Sequence, residues 1–347
     1  MGFRVYATTS QRMPLERLAA HAQRAEALGY DGLNIPEAVH DGFLASQIAL
    51  QATERLRVAT SVALAFPRSP MVTAIAAWDL AQLSGSRFEL GLGSQIRANI
   101  EGRYATPWTP PVPRMREYVG ALRAIFDAFQ NGSPLAFEGE QYRLTRLQPF
   151  FRPEPLEEFR LPILLGGVGP RMTALAGEIA DGLTTHPTNT APRYLDEVLG
   201  ARFAEGAARS GRDLADFRLM VGCRVATGRD TAAVAAEREK ARSSLAFLYS
   251  TPAYWKSLEL FGWERRGEEL RELTREGRWE ELSTHIDDEL LDTFVPSGTW
   301  EEIPDVLEAW YGDRTGWITF PMPEDPADDA EVAAVIERLR GGTPHTP

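Results

Sequence analysis

The sequence predicts an α/β fold, a (β/α)₈ TIM barrel with insertions on the loops of its C-terminal face. Strand-like apolar segments alternate with amphipathic helical segments along the chain, and eight such pairs are present. Regular alternation of this kind produces a parallel sheet, and eight units close it into a barrel. Two glycine-rich loops follow strand-like segments about seventy residues apart, which fits a barrel mouth better than one nucleotide-binding crevice. We therefore expect residues 1–347 to form one domain.

The strand and helix pairs follow in order from the N-terminus. FRVYATT (3–9) precedes the amphipathic segment PLERLAAHAQRAEALG, which ends at Gly29, a residue suited to the left-handed position after a helix. The other strand-like segments are DGLNIP, RLRVATSVALAF, RFELGLG, LPILLGG, DGLTTHP, FRLMVGCRVAT and WITF (317–320). The predicted helices cover 43–54, 70–84, 113–130, a segment that begins at Pro170, 192–210, several helices from 230, and 329–340.

Three segments exceed what a minimal barrel needs. They are a proline-rich segment over 94–112, a hairpin (LAFEGEQYRL) and loop over 135–153, and a long stretch over 244–300. Insertions on barrel loops usually shape the substrate side, and aromatic side chains there favour a flat or apolar ligand. Tyr249, Tyr254 and Trp255 in the third insertion are therefore candidate substrate contacts. Alternatively, these aromatic residues anchor the insertion to the barrel.

The composition narrows the range of partners and compartments. A net charge of −12 argues against nucleic acid, because binding it needs a concentrated positive surface. No segment approaches the roughly 20 apolar residues of a membrane span, and the N-terminus lacks a secretory signal pattern. The one cysteine, Cys223, agrees with a reducing compartment, and its strand-like surroundings predict a buried structural thiol. We expect a cytoplasmic homodimer that acts on a small molecule, and no Cys/His spacing suits a metal.

The segment LPILLGGVGPRMTALAGEIADGLTTHPTN (161–189) joins a strand, a glycine turn and the start of a helix. Gly167 and Gly169 let the backbone approach a ligand closely, and Pro170 suits a first helical position. Unpaired N–H groups at such a helix start attract an anion, and Arg171 is of the residue type that holds phosphates best. One hypothesis is an anionic cofactor, and the other is an ordinary turn between a strand and a helix.

A second glycine loop follows the alternating strand RFELGLG. It reads Gly91-Leu92-Gly93-Ser94-Gln95. A dinucleotide fingerprint of the form G-x-G-x-x-G needs glycine at position 96, where Ile96 stands instead. A standard dinucleotide site is therefore disfavoured.

Four segments resemble one known family. They are ATSVALAFPRSPMVTAIAAWDLAQLSGSRFELGLGSQ (59–95), IEGRYATPW, FEGEQYRL and GGVGPRMTALAGEIADGLTTHP. The sequence resembles the luciferase-like monooxygenase superfamily, and specifically its F420-dependent oxidoreductase branch. The resemblance spans nearly the whole chain and implies a (β/α)₈ barrel with a deazaflavin or isoalloxazine ring across its C-terminal mouth. Coenzyme F420 is the expected cofactor, and FMN is the alternative.

The resemblance also implies where the cofactor would lie. In relatives that use the deazaflavin, the third strand carries a non-proline cis peptide whose bulge supports the face of the ring, and the matching residues are Ser61 and Val62. The residues expected along the ring and ribityl side are Gly91, Gly93, Ser94 and Gln95. The residues expected around the phosphate are Gly167, Val168, Gly169, Pro170 and Arg171, with Thr185 and His186 nearby.

The loop after the second strand carries the candidate catalytic residues. DGLNIPEAVHDGF places Glu37, His40 and Asp41 just past a barrel strand, on the face where barrel enzymes act. Related deazaflavin enzymes often carry an acid and a histidine in this loop, although the spacing here differs. Histidine titrates near neutrality, so His40 can donate a proton or orient a carbonyl, and Glu37 is its candidate partner. The alternative is a histidine packed at the start of a helix. The remaining candidates for structural or exposed histidines are His21, His285 and His345.

The reaction that the resemblance implies is hydride transfer between C5 of the deazaflavin and a small organic substrate. The enzyme would be an F420H2-dependent reductase or an F420-dependent dehydrogenase. An FMNH2-dependent monooxygenase and a non-catalytic flavin-binding barrel are the two alternatives. The sequence does not rank an activated alkene, an imine, a ketone or a secondary alcohol as substrate.

Overall fold

Eight parallel strands form a closed barrel in this computed structural model, which describes residues 2–341. The strands are β1 (Arg4–Thr8), β2 (Gly32–Ile35), β3 (Arg57–Thr60), β4 (Phe88–Gly93), β5 (Ile163–Gly166), β6 (Gly182–Thr184), β7 (Arg218–Val221) and β8 (Trp317–Thr319). Each strand pairs with its neighbours in sequence, and β8 returns to pair with β1. Pairing of β3 with both β2 and β4 closes the ring. The predicted (β/α)₈ barrel is confirmed.

A helix packs outside the barrel after each strand. These helices are α1 (Leu15–Ala27), α2 (Gly42–Ala52), α3 (Pro70–Ser84), α4 (Pro111–Asn131), α5 (Pro170–Ile179), α6 (Gly200–Ser210), α7 (Ile303–Tyr311) and α8 (Asp329–Leu339). α3 shows why they begin and end where they do. The Ser69 hydroxyl accepts the Val72 N–H at its start, and Gly85 takes the left-handed conformation at its end. Among residues 2–341, none of the helices combines the length and the apolar character needed to cross a membrane.

The third strand does not continue as the single run that RLRVATSVALAF predicts. The peptide bond between Ser61 and Val62 is cis, and the chain resumes as the short strand Ala63–Leu64, which pairs with Leu92–Gly93. The cis bond confirms the backbone geometry that the family resemblance implies at these two residues. The Thr60 hydroxyl donates to the Gly91 carbonyl at 2.8 Å and accepts the Gly91 N–H at 3.0 Å, which fixes β3 against β4.

Insertions occupy two connections of the barrel. Between β4 and β5 lie the helix Arg97–Gly102, an antiparallel hairpin of Phe137–Glu138 with Arg143–Leu144, and a 3₁₀ turn at Pro149–Phe151. Between β7 and α7, the strands Ala226–Gly228 and Ser297–Thr299 pair in parallel and bracket the long insertion. Its helices are Thr231–Tyr249, Lys256–Phe261, Glu264–Arg275 and Asp288–Phe294, with 3₁₀ turns at Pro252–Tyr254 and Trp279–His285. The insertion therefore begins near residue 226 rather than at 244, because FRLMVGCRVAT contains two strands instead of one.

A buried carboxylate joins four strands near the N-terminal end of the barrel. Glu89 on β4 is 2% exposed and accepts hydrogen bonds from Arg57 at the start of β3, at 2.8 Å, and from Arg218 at the start of β7, at 3.0 Å. Its other oxygen accepts the Tyr6 hydroxyl of β1 at 3.1 Å. Burial, reinforced by the Glu89 charge, raises the pKa of Tyr6, so the phenol remains a donor. These bonds tie strands on opposite sides of the barrel together.

The single cysteine lies just after β7. The Cys223 thiol is buried and donates to the Thr319 carbonyl at 3.4 Å. Burial raises the pKa of Cys223 to about 12, which keeps the thiol protonated and unreactive at neutral pH. Cys223 is a structural residue, as the sequence predicts.

We expect Glu89→Gln to lower the free energy of unfolding by roughly 2–4 kcal/mol, because it leaves two arginines without their counter-charge. Urea unfolding followed by circular dichroism measures this change. The control is Glu101→Gln, which removes an exposed pair with Arg97 and should cost much less, because solvent screens such a pair. Similar losses in the two variants would contradict a special role for Glu89.

Candidate active site

The C-terminal face of the barrel brings together most of the residues that the sequence singles out. The β2 loop, the bulge after β3, the end of β4, the β5–α5 loop and the end of β6 all follow barrel strands. In a parallel barrel these segments share one rim, where barrel enzymes bind their ligands. Of the three remaining histidines, His21 lies on α1 and His285 pairs with Glu269 in the long insertion. His345 lies outside the described residues.

The Val62 side chain occupies the space that a side chain at the ends of β4 and β5 would need. A methyl group built on Gly93 would lie 2.5 Å from a Val62 side-chain carbon, and one built on Gly166 would lie 2.9 Å away. One built on Gly91 would collide with the Thr60 carbonyl. These glycines are therefore required for packing against the bulge after β3. A ligand ring resting on Val62 would then meet a floor formed by all three strands.

The end of β4 carries two polar residues at the mouth. Gln95 is in the left-handed region with φ +57°, which few residues other than glycine adopt, and its side-chain oxygen accepts the Ile96 N–H at 2.9 Å. The Ser94 hydroxyl is half-buried and makes no hydrogen bond to any other residue within 2–341. Ser94 is therefore free to bind a ligand, whereas the Gln95 side chain partly serves its own turn.

The β5–α5 loop presents unpaired donors beside open space. In the described part of the chain, the backbone N–H groups of Gly167, Val168 and Gly169 donate to no protein acceptor. A side chain built on Gly169 would meet nothing within 4 Å, whereas one built on Gly167 would press on Leu183. A hydrogen bond from the Asn189 amide to the Val168 carbonyl, at 3.2 Å, holds the loop in place. Donors at a helix start with room in front of them suit a phosphate.

The end of β6 meets the long insertion through two stacked rings. His186 and Tyr254 lie parallel, with ring centroids 4.3 Å apart and planes 6° apart. Burial, together with the charge of Arg224, lowers the pKa of His186 to about 4, so its ring is neutral at pH 7. The Thr185 hydroxyl accepts the Gly222 N–H at 2.9 Å and joins the ends of β6 and β7. Thr185 is therefore committed to the barrel, while His186 faces the insertion.

The other two aromatic residues predicted to contact substrate differ in exposure. Tyr249 has no exposed surface, and its hydroxyl contacts the Thr188 carbonyl at 3.3 Å. It packs in the core and does not reach a substrate surface. Trp255 is half-buried and donates to the Tyr249 carbonyl at 2.6 Å. Only Tyr254 and Trp255 of the three have surface available to a ligand.

Glu37 belongs to an ion-pair cluster. Arg68 donates to both Glu37 oxygens, at 2.5 and 2.9 Å, and to Asp41 at 2.6 Å, and the Leu64 N–H donates to Glu37 at 2.7 Å. Burial opposes the charge of Arg68, but these carboxylates outweigh it and raise the pKa of Arg68. Asp41 also caps α2, accepting N–H groups of Phe43 and Leu44. The cluster holds the β2 loop against the chain that follows the bulge.

His40 lies between these carboxylates in sequence and is half-exposed. Neither ring nitrogen hydrogen-bonds to another residue among those described. The neighbouring loop is fixed from the first insertion, because Arg103 donates to the Ala38 carbonyl at 2.5 Å. His40 therefore sits on an anchored loop with an uncommitted imidazole.

Arg224 is a candidate that sequence reasoning missed. It follows Cys223 directly after β7, and it forms no ion pair with any carboxylate in the described range. Desolvation by the surrounding protein lowers the pKa of Arg224, although part of the side chain reaches solvent. Its position just past a barrel strand is the signal that could have identified it.

The chain is similar to known proteins over most of its length. A family model described as luciferase-like monooxygenase matches residues 1–315. An uncharacterized protein of Mycobacterium tuberculosis is 44% identical over 294 residues, which cover 84% of this chain and 86% of the relative. A 5,10-methylenetetrahydromethanopterin reductase of Archaeoglobus fulgidus is 27% identical over 305 residues, covering 84% and 85%. The structure of the coenzyme F420 dependent tetrahydromethanopterin reductase from Methanopyrus kandleri matches with a TM-score of 0.79 at 18% identity, covering 97% of this chain and 98% of that one.

These findings agree with the barrel. The family model covers most of the sequence, and the mycobacterial relative matches along most of both chains. The structural match covers 97% of this chain. The chain belongs to the luciferase-like monooxygenase family.

Proposed function

We propose that the protein is an F420-dependent oxidoreductase acting on a small organic substrate, either as an F420H2-dependent reductase or as an F420-dependent dehydrogenase. The observation that carries the proposal is the row of unpaired N–H groups at 167–169, which faces open space at Gly169. The Methanopyrus reductase, described as coenzyme F420 dependent, has the same fold and supports this choice of cofactor. When bound, the deazaflavin would exchange a hydride at C5 with the substrate.

Different residues around the mouth would bind different parts of the cofactor. Gly167, Val168 and Gly169 would bind the phosphate through their N–H groups, and α5 adds the positive end of its dipole beyond Pro170. Arg171 extends the positive charge past the loop. The ring would rest on the bulge of Ser61 and Val62, with Ser94 and Gln95 at its edge.

His40 is the proposed acid/base residue. Its imidazole is uncommitted, so it can hold a proton at one nitrogen and pass it to a substrate atom that becomes electron-rich as hydride arrives. Glu37 has both oxygens engaged by Arg68 and the Leu64 N–H, so we propose that it positions the loop. Tyr254, Trp255 and the neutral ring of His186 would form the apolar wall on the other side of the substrate.

A monooxygenase using FMNH2 is the alternative that the family description keeps open. A non-catalytic flavin-binding barrel is a further alternative. Cofactor preference separates the first alternative from the proposal, because a deazaflavin does not readily form the oxygen adduct that a monooxygenase needs. Turnover of any substrate by the purified protein distinguishes the proposed enzyme from a non-catalytic flavin-binding barrel.

We expect the protein to bind coenzyme F420 with micromolar or tighter affinity and FMN more weakly. Gly169→Val should weaken F420 binding roughly tenfold or more, about 1.4 kcal/mol, because its side chain would fill the space in front of the N–H groups. Fluorescence titration measures both affinities. Gly316→Val is the matched control, since a side chain there also meets nothing within 4 Å but lies before β8 at the other end of the barrel. Equal or reversed affinities for F420 and FMN would contradict the proposal.

His40→Ala should lower turnover by roughly 10²–10⁴, because it removes the proton donor, while cofactor affinity stays close to that of the wild type. Steady-state kinetics across pH, on a substrate found by screening with F420, provides the measurement. His285→Ala serves as the control, since His285 lies in the insertion and pairs with Glu269. Near-normal turnover by His40→Ala would reassign His40 as structural and make Tyr254 the next residue to test.

We further propose that the protein acts as a homodimer through the face formed by α2 and α3. Leu44 on α2 and Val72, Ile75 and Leu83 on α3 are each about half exposed. The three α3 residues recur at helical spacing and share one side of the helix, which packs beside α2. An exposed apolar strip of this kind marks a protein contact surface.

The double variant Val72→Glu/Ile75→Glu should halve the mass in solution measured by light scattering, because it places charge in the contact. Phe150→Glu, which changes an exposed aromatic residue in the 149–151 turn, should leave the mass unchanged. A monomeric wild-type protein would rule the dimer out.

A further inference from the structure

Arg224 stands at the mouth of the barrel, shortly after the end of β7. β7 ends at Val221, and the next strand, Ala226–Gly228, begins just beyond Arg224. In a parallel barrel the segment after a strand lies on the C-terminal face, where the proposed cofactor site is. Arg224 therefore shares a rim with that site, although the proposed function gives it no role.

The backbone that leads into Arg224 is fixed on two sides. The Gly222 N–H donates to the Thr185 hydroxyl at 2.9 Å, which joins this segment to the end of β6. The Cys223 thiol donates to the Thr319 carbonyl at 3.4 Å, and the Thr319 hydroxyl donates to the Cys223 carbonyl at 3.1 Å, which joins it to the end of β8. The barrel itself therefore determines where the Arg224 side chain starts.

The Arg224 guanidinium lines a concave surface. Solvent reaches part of the side chain, yet desolvation by the surrounding protein lowers the pKa of Arg224. Both observations hold for a charged group on the wall of an open recess. His186 is its neighbour, because burial and then the charge of Arg224 lower the pKa of His186. His186 stacks on Tyr254, with ring centroids 4.3 Å apart, so the recess beside Arg224 includes these two rings.

Arg224 differs from the other arginines that follow barrel strands. Arg68 after β3 is neutralised by two carboxylates, and Arg97 after β4 pairs within its own helix. Arg12 after β1 forms no ion pair among residues 2–341, but it is exposed to solvent. Arg171 extends the phosphate loop in the proposed function. Arg224 has neither a carboxylate partner within the described residues nor a role in the phosphate site.

A desolvated guanidinium without a partner favours an anion. Removing part of its hydration costs free energy, and a bound anion offsets that cost. The planar guanidinium can form two parallel hydrogen bonds to a carboxylate. One cation balances one negative charge, whereas a phosphate monoester carries about −1.5 to −2 at pH 7. The group that suits Arg224 best is therefore a single carboxylate.

We propose that Arg224 binds a carboxylate group of the substrate, which is a small organic acid with a flat apolar body. The inference rests on the proposed function and names the class of its substrate. The body would lie against Tyr254, whose ring has surface available to a ligand. β1 and β8 separate β7 from β2 in the barrel, so the reacting atom would lie beyond the body, near His40. Arg224 would act through binding and orientation, as a specificity-determining residue.

Isothermal titration calorimetry with 2-naphthoate and 2-naphthamide tests the proposal, because the two probes share a flat apolar body and differ in charge. The protein is titrated both without F420 and saturated with F420, which fills the phosphate loop. Wild-type protein should bind naphthoate roughly tenfold or more tightly than naphthamide in both states, the effect of charge-assisted hydrogen bonds. Arg224→Met should remove this preference, and Arg224→Lys should retain part of it, because lysine keeps the charge but lacks the planar fork.

Two further variants serve as controls. Arg12→Met removes an exposed, unpaired arginine that also follows a barrel strand, and it should leave the preference intact. Tyr254→Ala should weaken the binding of both probes alike, because it removes apolar contact area and no charge. An effect of Tyr254→Ala on naphthoate alone would contradict the placement of the apolar body.

The titrations separate this inference from the proposed function. Equal binding of the two probes by a wild type that binds F420 would overturn the carboxylate site and leave the proposed function intact. The same loss of preference in Arg12→Met as in Arg224→Met would reveal a general charge effect and overturn the site as well. A preference that disappears when F420 is bound would place naphthoate at the phosphate loop, and weaker F420 binding by Arg224→Met would place Arg224 in the cofactor site; either result overturns the inference. A protein that prefers naphthoate but does not bind F420 would reject the proposed function, and with it the assignment of this carboxylate to the substrate.

Discussion

The buried carboxylate of Glu89 is the interaction on which the rest of the barrel depends. It lies on β4 and receives hydrogen bonds from Arg57 on β3, Arg218 on β7 and Tyr6 on β1. Side chains from several strands fill the interior of a small barrel in layers, and here the layer at the base includes a buried charge. Polar bonds have direction, so they define which residues face inward at the base. The strand ends at the other rim are therefore held in place, and their loops can vary in length without disturbing the sheet.

At that other rim, the space around Val62 organises the candidate site. Gly93 and Gly166 are small because Val62 occupies the space that a side chain would need. Three strands thus meet at one side chain, while the N–H groups of the β5–α5 loop remain unpaired just beyond it. The proposed ring and phosphate regions are neighbours for this reason. The stacking of His186 on Tyr254 then brings the long insertion over the same rim.

Local patterns predict the strands, the helices and the glycine loops, because each depends on residues close together in sequence. Features that depend on residues far apart in sequence cannot be predicted from local patterns. Arg68 engages Glu37 across 31 positions, so no local pattern indicates that this carboxylate is committed. Tyr249 looks like a substrate contact until the insertion folds around it and leaves it no exposed surface. The strand Ala226–Gly228 reads as an extension of β7, and only its pairing with Ser297–Thr299 reveals a separate element.

Positive charge is distributed unevenly around the rim of the site. Arg68 is neutralised by Glu37 and Asp41 near β2, whereas Arg171 beyond β5 and Arg224 beyond β7 form no ion pair within residues 2–341. An anionic ligand approaching an acidic protein is therefore attracted to the β5–β7 side of the mouth. With its anionic end there, a long ligand would extend its uncharged part across Val62 toward β2. The substrate would then lie between the His40 loop and Tyr254. Arg171 and Arg224 would thus orient the ligand and fix the position of the reaction, although neither side chain takes part in it.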